Sequence, residues 1–129
     1  MATWDDVQRL ALALPDTDEV VSRGNRQWRV HEKLFVWERP LRQSDLKALG
    51  DAAPDGPILG ARVEHEIAKQ AMIADEPNVY FTTPHFDGYP AVLVRERDLG
   101  RLDYLELAEI ITDAWATKAP KKLVKQHLG

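Results

Sequence analysis

The 129-residue chain contains no cysteine. Disulfides, thiolate metal sites and a cysteine nucleophile are therefore excluded, and the composition suits a reducing compartment. Long apolar runs are missing too: nothing approaches the roughly 18 residues that a membrane span requires. The opening Met1-Ala2-Thr3-Trp4-Asp5-Asp6 has neither the basic region nor the apolar core of a secretory signal. A cytoplasmic location without a membrane partner is the resulting expectation. Gly56 and Gly60 lack the spacing and the following Lys-Ser/Thr of a phosphate loop. No serine sits in a nucleophile elbow, and there is no internal repeat, low-complexity stretch or linker.

What is present is an ordinary globular composition, 44% hydrophobic, at a length that fits one domain over residues 1–129. The net charge of −4 conceals a segregation. Residues 1–22 and 48–116 are acidic, at −4 and −8. Residues 23–47 and 117–129 are basic, at +4 each. The overall balance argues against strong non-specific binding to nucleic acid, while two basic segments leave a polyanion contact open.

Thr3 suits a helix N-cap, Asp5 and Asp6 favour the first turn, and Val7, Leu10, Ala11 and Leu14 share one face, so a helix is expected over 4–14. Three antiparallel strands follow, 19–23, 27–30 and 34–37, with a turn at Gly24-Asn25. In the second, Trp28 and Val30 share one face and Gln27 and Arg29 the other. Residues 39–56 read as a loop with a helical turn at 44–50. A strand is expected at 58–63 and a helix at 64–74 with Ile67, Ala71 and Ala74 inward. Strands follow at 79–81 and 90–95, then a helix over 103–116 with Leu105 on its inner face, and a short basic helix over 120–127 opened by Pro120. The pattern specifies an α+β domain.

The loop between the last two strands holds the chemistry. His85 and Asp87, two residues apart, would need a further ligand such as Glu64, His65 or Glu66 to hold a metal. Otherwise they satisfy loop backbone groups. Neither a metal nor any other cofactor is expected. Phe86 and Tyr89 are candidates for stacking on a base or a ligand. Trp28, Trp37 and Trp115 are expected in the core. Asp16-Thr17-Asp18-Glu19 is either a cation cluster or a solvated turn.

Phe81-Thr-Thr-Pro-His-Phe-Asp-Gly-Tyr-Pro-Ala-Val-Leu-Val-Arg95 resembles the corresponding stretch of the MmcQ/YjbR family of small bacterial proteins. So do Ala13-Leu14-Pro15 with Glu19, Lys33-Leu-Phe-Val36, Ile111-Thr-Asp-Ala-Trp115 and Ala119-Pro120. The resemblance covers essentially the whole chain, and it rests on the order and spacing of short motifs. It implies a curved antiparallel sheet of five to six strands with helices packed on one side, similar to a double-wing DNA-binding motif. It brings no catalytic residue and no cofactor. The expectation is thus a non-enzymatic DNA-binding module, monomeric rather than oligomeric, with Arg23, Arg26, Arg29 and Lys33 on phosphates. The alternative is a protein- or small-ligand-interaction domain that uses His85, Phe86, Asp87 and Tyr89 in the loop from Pro84 to Pro90.

Overall fold

The computed structural model of the chain describes residues 2–39, 58–83, 86 and 88–128, with Glu96 and Arg97 described by backbone alone. The elements are α1 (Trp4–Leu12), β1 (Thr17–Ser22), β2 (Asn25–Val30), β3 (Lys33–Arg39), β4 (Ile58–Arg62), α2 (Glu66–Asp75), β5 (Tyr80–Phe81), β6 (Ala91–Arg95), α3 (Glu96–Leu99), α4 (Tyr104–Lys118) and α5 (Lys121–Leu128). The strands form one open antiparallel sheet in the order β1-β2-β3-β4-β6-β5. This is the expected α+β architecture. The helical turn expected at 44–50 falls outside the described residues.

Local chemistry explains the boundaries. Thr3 closes a capping box with Asp6 at the start of α1. The β1–β2 turn is Arg23-Gly24, one residue earlier than expected, with φ of 52° and 82°. The β2–β3 turn is His31-Glu32, with φ of 48° and 67°. Positive φ at both central positions makes each a two-residue turn whose twist matches the flanking strands. The His31 ring and Asp16 are 2.8 Å apart, so this part of the acidic stretch braces a turn. Glu19 accepts from the Trp28 indole and from Gln8, both at 2.9 Å. Asp16 and Glu19 are therefore engaged within the fold.

A bulge in β3 decides what faces what. Trp28 pairs with Val36, but Arg29 pairs with Leu34, leaving Phe35 as the extra residue. Phe35 and Val36 consequently both face the helices, joining Trp28, Val30, Leu59, Val92, Val94, Leu107, Ile111 and Trp115 in the larger core. The second face carries a smaller core of Trp37, Ile58, Phe81, Ala91, Leu93 and the loop residue Phe86. Gly60 lies under the Trp37 indole, where a Cβ would come closer than 3.0 Å to three ring atoms. Only glycine permits that approach. The expected core role of Trp28, Trp37 and Trp115 holds.

Two helices are rotated relative to expectation. In α2, Ile67 is 78% exposed and Ala71 and Ala74 face solvent, while Lys69 is fully buried beside half-buried Met72 and Ile73. The His65 side chain caps this helix by accepting from Ala68 N–H at 3.0 Å. In α4, Leu105 is 74% exposed, and the buried stripe is Leu107, Ile110, Ile111, Ala114 and Trp115. That stripe follows the i, i+3, i+4, i+7 spacing and packs on β3 and β4.

Lys69 explains the first rotation. Its Nζ donates to the carbonyls of Phe86 at 2.7 Å and Tyr89 at 3.0 Å. Turning Lys69 inward thus anchors the loop that covers the second sheet face, and Ile67 is left outside. Gly88, inside that loop, has a positive φ, 77°.

Two substitutions test this packing. Leu93 is fully buried in a strand flanked by β4 and β5, so Leu93→Ala should cost about 2–5 kcal/mol in a denaturant melt. Lys69→Met removes the charged donor from two loop carbonyls, each of which keeps one backbone N–H. It should cost about 2 kcal/mol and speed amide exchange at Tyr89 and Ala91. Unchanged stability and exchange would show that the loop holds itself in place.

Candidate functional site

The four basic residues expected on phosphates do not share one surface. Arg23 lies in the β1–β2 turn and Lys33 beside the β2–β3 turn, at opposite ends of β2, about 20 Å apart at the usual strand rise. Arg26 is on the helix face. Its backbone N–H and guanidinium bond the Glu38 carboxylate at 2.6 and 3.1 Å, and its guanidinium lies 5.5 Å from the centre of the Trp28 ring. That bond to Glu38 holds its pKa above the ordinary arginine value. Arg29 is on the second face and donates to Gln27 at 2.6 Å. His85 and Asp87 lie outside the described residues. Phe86 points inward, 6% exposed and 6.4 Å from the Trp37 ring, whereas Tyr89 is 41% exposed.

The second sheet face is lined by arginines stacked on aromatic rings. The Arg39, Arg62 and Arg95 guanidinium carbons lie 4.6, 4.3 and 4.3 Å from the ring centres of Phe86, Tyr89 and Phe81. The buried Nε atoms of Arg29, Arg62 and Arg95 have no hydrogen-bond acceptor among the described residues.

At the end of the sheet where β4 finishes, a basic corner forms. The register of β3 on β4 places the start of β3 near the end of β4, which brings Lys33 toward Arg62. Lys118, the last residue of α4, lies within range of both their charges. Burial first, then the charges of Arg62 and Lys33, lower the Lys118 pKa. Among the described residues none of these three makes an ion pair. Beyond Lys118, α5 presents Lys121, Lys122 and Lys125, all exposed, and no carboxylate. Two basic segments remote in sequence thus meet. Arg62 and Lys118 were not among the sequence-derived contacts. The +4 balance of residues 117–129 was the available signal for Lys118, and Arg62, inside the acidic segment, had none.

An acidic groove of about 740 Å³ opens between α2 and α4 over β5. Val63, Met72 and Ile110 supply apolar lining, and Tyr80 lies among them. The carboxylates are Glu64, Asp75, Glu76, Glu106, Glu109 and Asp113. Burial, then Glu76, Glu106, Asp75 and Glu109, push the Tyr80 hydroxyl up to about 12. Burial, then Asp103 and Glu76, raise the Glu106 carboxyl above its usual range. Burial, then Glu109 and Glu64, raise Asp113. The sequence showed the acid surplus of residues 48–116, but not its concentration between two helices.

A carboxyl whose pKa is raised by folding weakens the fold when ionised, and the penalty disappears as pH falls through the raised value toward the unfolded one. Glu106→Gln should therefore raise the melting temperature near pH 7.5, with the gain fading by about pH 4, the ordinary glutamate range. An equal gain at both pH values would point to packing instead of charge.

A family model described as YjbR matches residues 12–117. The chain is 55% identical over 132 residues to Uncharacterized protein Rv2570 of Mycobacterium tuberculosis and to Uncharacterized protein Mb2600 of Mycobacterium bovis. Each alignment covers 100% of this chain and 98% of the relative. The crystal structure of Deinococcus radiodurans protein DR2400, a DUF419 domain, is similar in fold at a TM-score of 0.66 and 17% identity, over 98% of this chain and 88% of that one. No described helix is long and apolar enough to cross a membrane. The match over most of the chain, together with these near relatives, makes this protein a member of the YjbR family.

Proposed function

We propose that this YjbR-family chain is a DNA-binding module that contacts the phosphate backbone through its basic corner, without catalytic chemistry. The observation that supports the reading is the convergence of Lys33, Arg62 and Lys118 from three elements, with no carboxylate pairing them among the described residues. Like charges held together cost stability unless an anion shares the site, and a phosphate is such an anion. Within this reading, Lys33 and Lys118 make the outer contacts. Arg62 supplies a guanidinium already oriented by Tyr89. Arg26, neutralised by Glu38, supports the fold rather than the contact. Phe86 is turned into the second core, which favours the corner over the aromatic loop as the contact surface.

Binding of this kind positions a protein on the duplex without reading sequence. It is weak at physiological salt, because a net charge of −4 opposes approach. Three phosphate contacts predict a log–log salt slope of about −2.7 on duplex DNA, and replacing Lys33 and Lys118 by Ala together should flatten it by about 1.8. Arg23→Ala, at the far end of β2, should leave the slope unchanged. A salt titration by fluorescence anisotropy, with duplex and single-stranded oligonucleotides, reads all three. The absence of any salt-sensitive binding at low salt, or an unaltered slope in the double variant, would overturn the reading.

A further inference from the structure

The acidic groove adjoins the basic corner at Arg62 and asks for a ligand of opposite sign. Its six carboxylates face one arginine, Arg62, at its margin. Tyr80 is only 7% exposed, yet it lines the groove, and its hydroxyl has no hydrogen-bond partner among the described residues. The hydroxyl oxygen itself is not sealed off, so within the groove it is open to a donor that enters there.

We infer that the groove between α2 and α4 binds a linear aliphatic polyamine, with the Tyr80 hydroxyl accepting from one of its ammonium groups. The distribution of charge selects this class over a metal ion. A divalent cation needs several oxygens converging at 2.0–2.6 Å, and no group of three His, Asp or Glu among the described residues could hold one. The carboxylates instead line a groove whose walls are Val63, Met72 and Ile110. Separate ammonium groups joined by methylenes match separate carboxylates above an apolar floor. The volume falls within the range of small-ligand sites, about 300–1,000 Å³. The raised pKa values of Tyr80, Glu106 and Asp113 agree with negative charge left uncompensated there.

The test is titration calorimetry of the full chain, free of nucleic acid, with spermine at about 0.15 M salt. One saturable site per chain is expected. Glu106→Gln with Glu109→Gln, two substitutions outside the buried core, should weaken binding about tenfold or more, from the loss of two charge-assisted contacts. Tyr80→Phe, which keeps the ring, should weaken it about three- to tenfold, the value of one hydrogen bond. Three results would each overturn the assignment. The first is no saturable heat. The second is equal affinity in the wild type and the double carboxylate variant. The third is magnesium ion binding with the same stoichiometry and the same sensitivity to both substitutions, which would mean that simple divalent screening accounts for the signal.

Discussion

Lys69 Nζ, wholly buried, bridges the carbonyls of Phe86 and Tyr89, and the second side of the sheet depends on that bridge. The central strands β4 and β6 are buried on both faces: Leu59 and Ala61 alternate with Ile58, and Val92 and Val94 with Ala91 and Leu93. One face is covered by α1 and α4. The other needs cover from a loop, and a loop carries backbone polar groups that must be satisfied when buried. A lysine with three donors answers that requirement from the neighbouring helix. The cost is an isoleucine left in water at position 67.

Once the loop is in place, its aromatic rings order the arginines of the same face. Tyr89 meets Arg62 and Phe86 meets Arg39, while Phe81 of β5 meets Arg95. Flat guanidinium groups lie well on ring faces and keep their charge. The result is a sheet face that is packed and cationic together. On the helix side, α2 and α4 hold acidic residues apart over Tyr80. A chain of small net charge therefore carries two fields of opposite sign, with Arg62 adjoining both.

Much of this architecture was legible in the residues. Thr3, Asp103 and Pro120 marked helix starts; the alternation in Gln27-Trp28-Arg29-Val30 marked a two-faced strand; the apolar run 91–94 marked a strand covered on both sides. Short motifs in order placed the chain in its family. Less legible was which stripe of a helix turns inward. Ile67, Ala71 and Ala74 make as good an apolar face as Met72 and Ile73, and only the second, charged hydrogen bond that Lys69 gives two distant carbonyls resolves the choice. The β3 bulge likewise has no local signature: Leu34-Phe-Val-Trp37 is an unbroken apolar run, and the extra residue emerges only from the pairing with β2.

The candidate sites divide along the same line. The sequence by itself determined the element order, the antiparallel sheet, the aromatic core and the existence of basic and acidic segments, because these follow from local spacing and composition. Tertiary structure alone decided which charges meet. Consecutive turns of a meander point to opposite ends of a sheet, so Arg23 and Lys33, close in sequence, are far apart. Successive residues of a helix or strand fall on different faces, so Arg26 is paired on one side and Arg29 lies on the other. Antiparallel pairing and the packing of α4 on the sheet bring Lys33, Arg62 and Lys118 together across the length of the chain, and they set Tyr80 beneath the carboxylates of two helices.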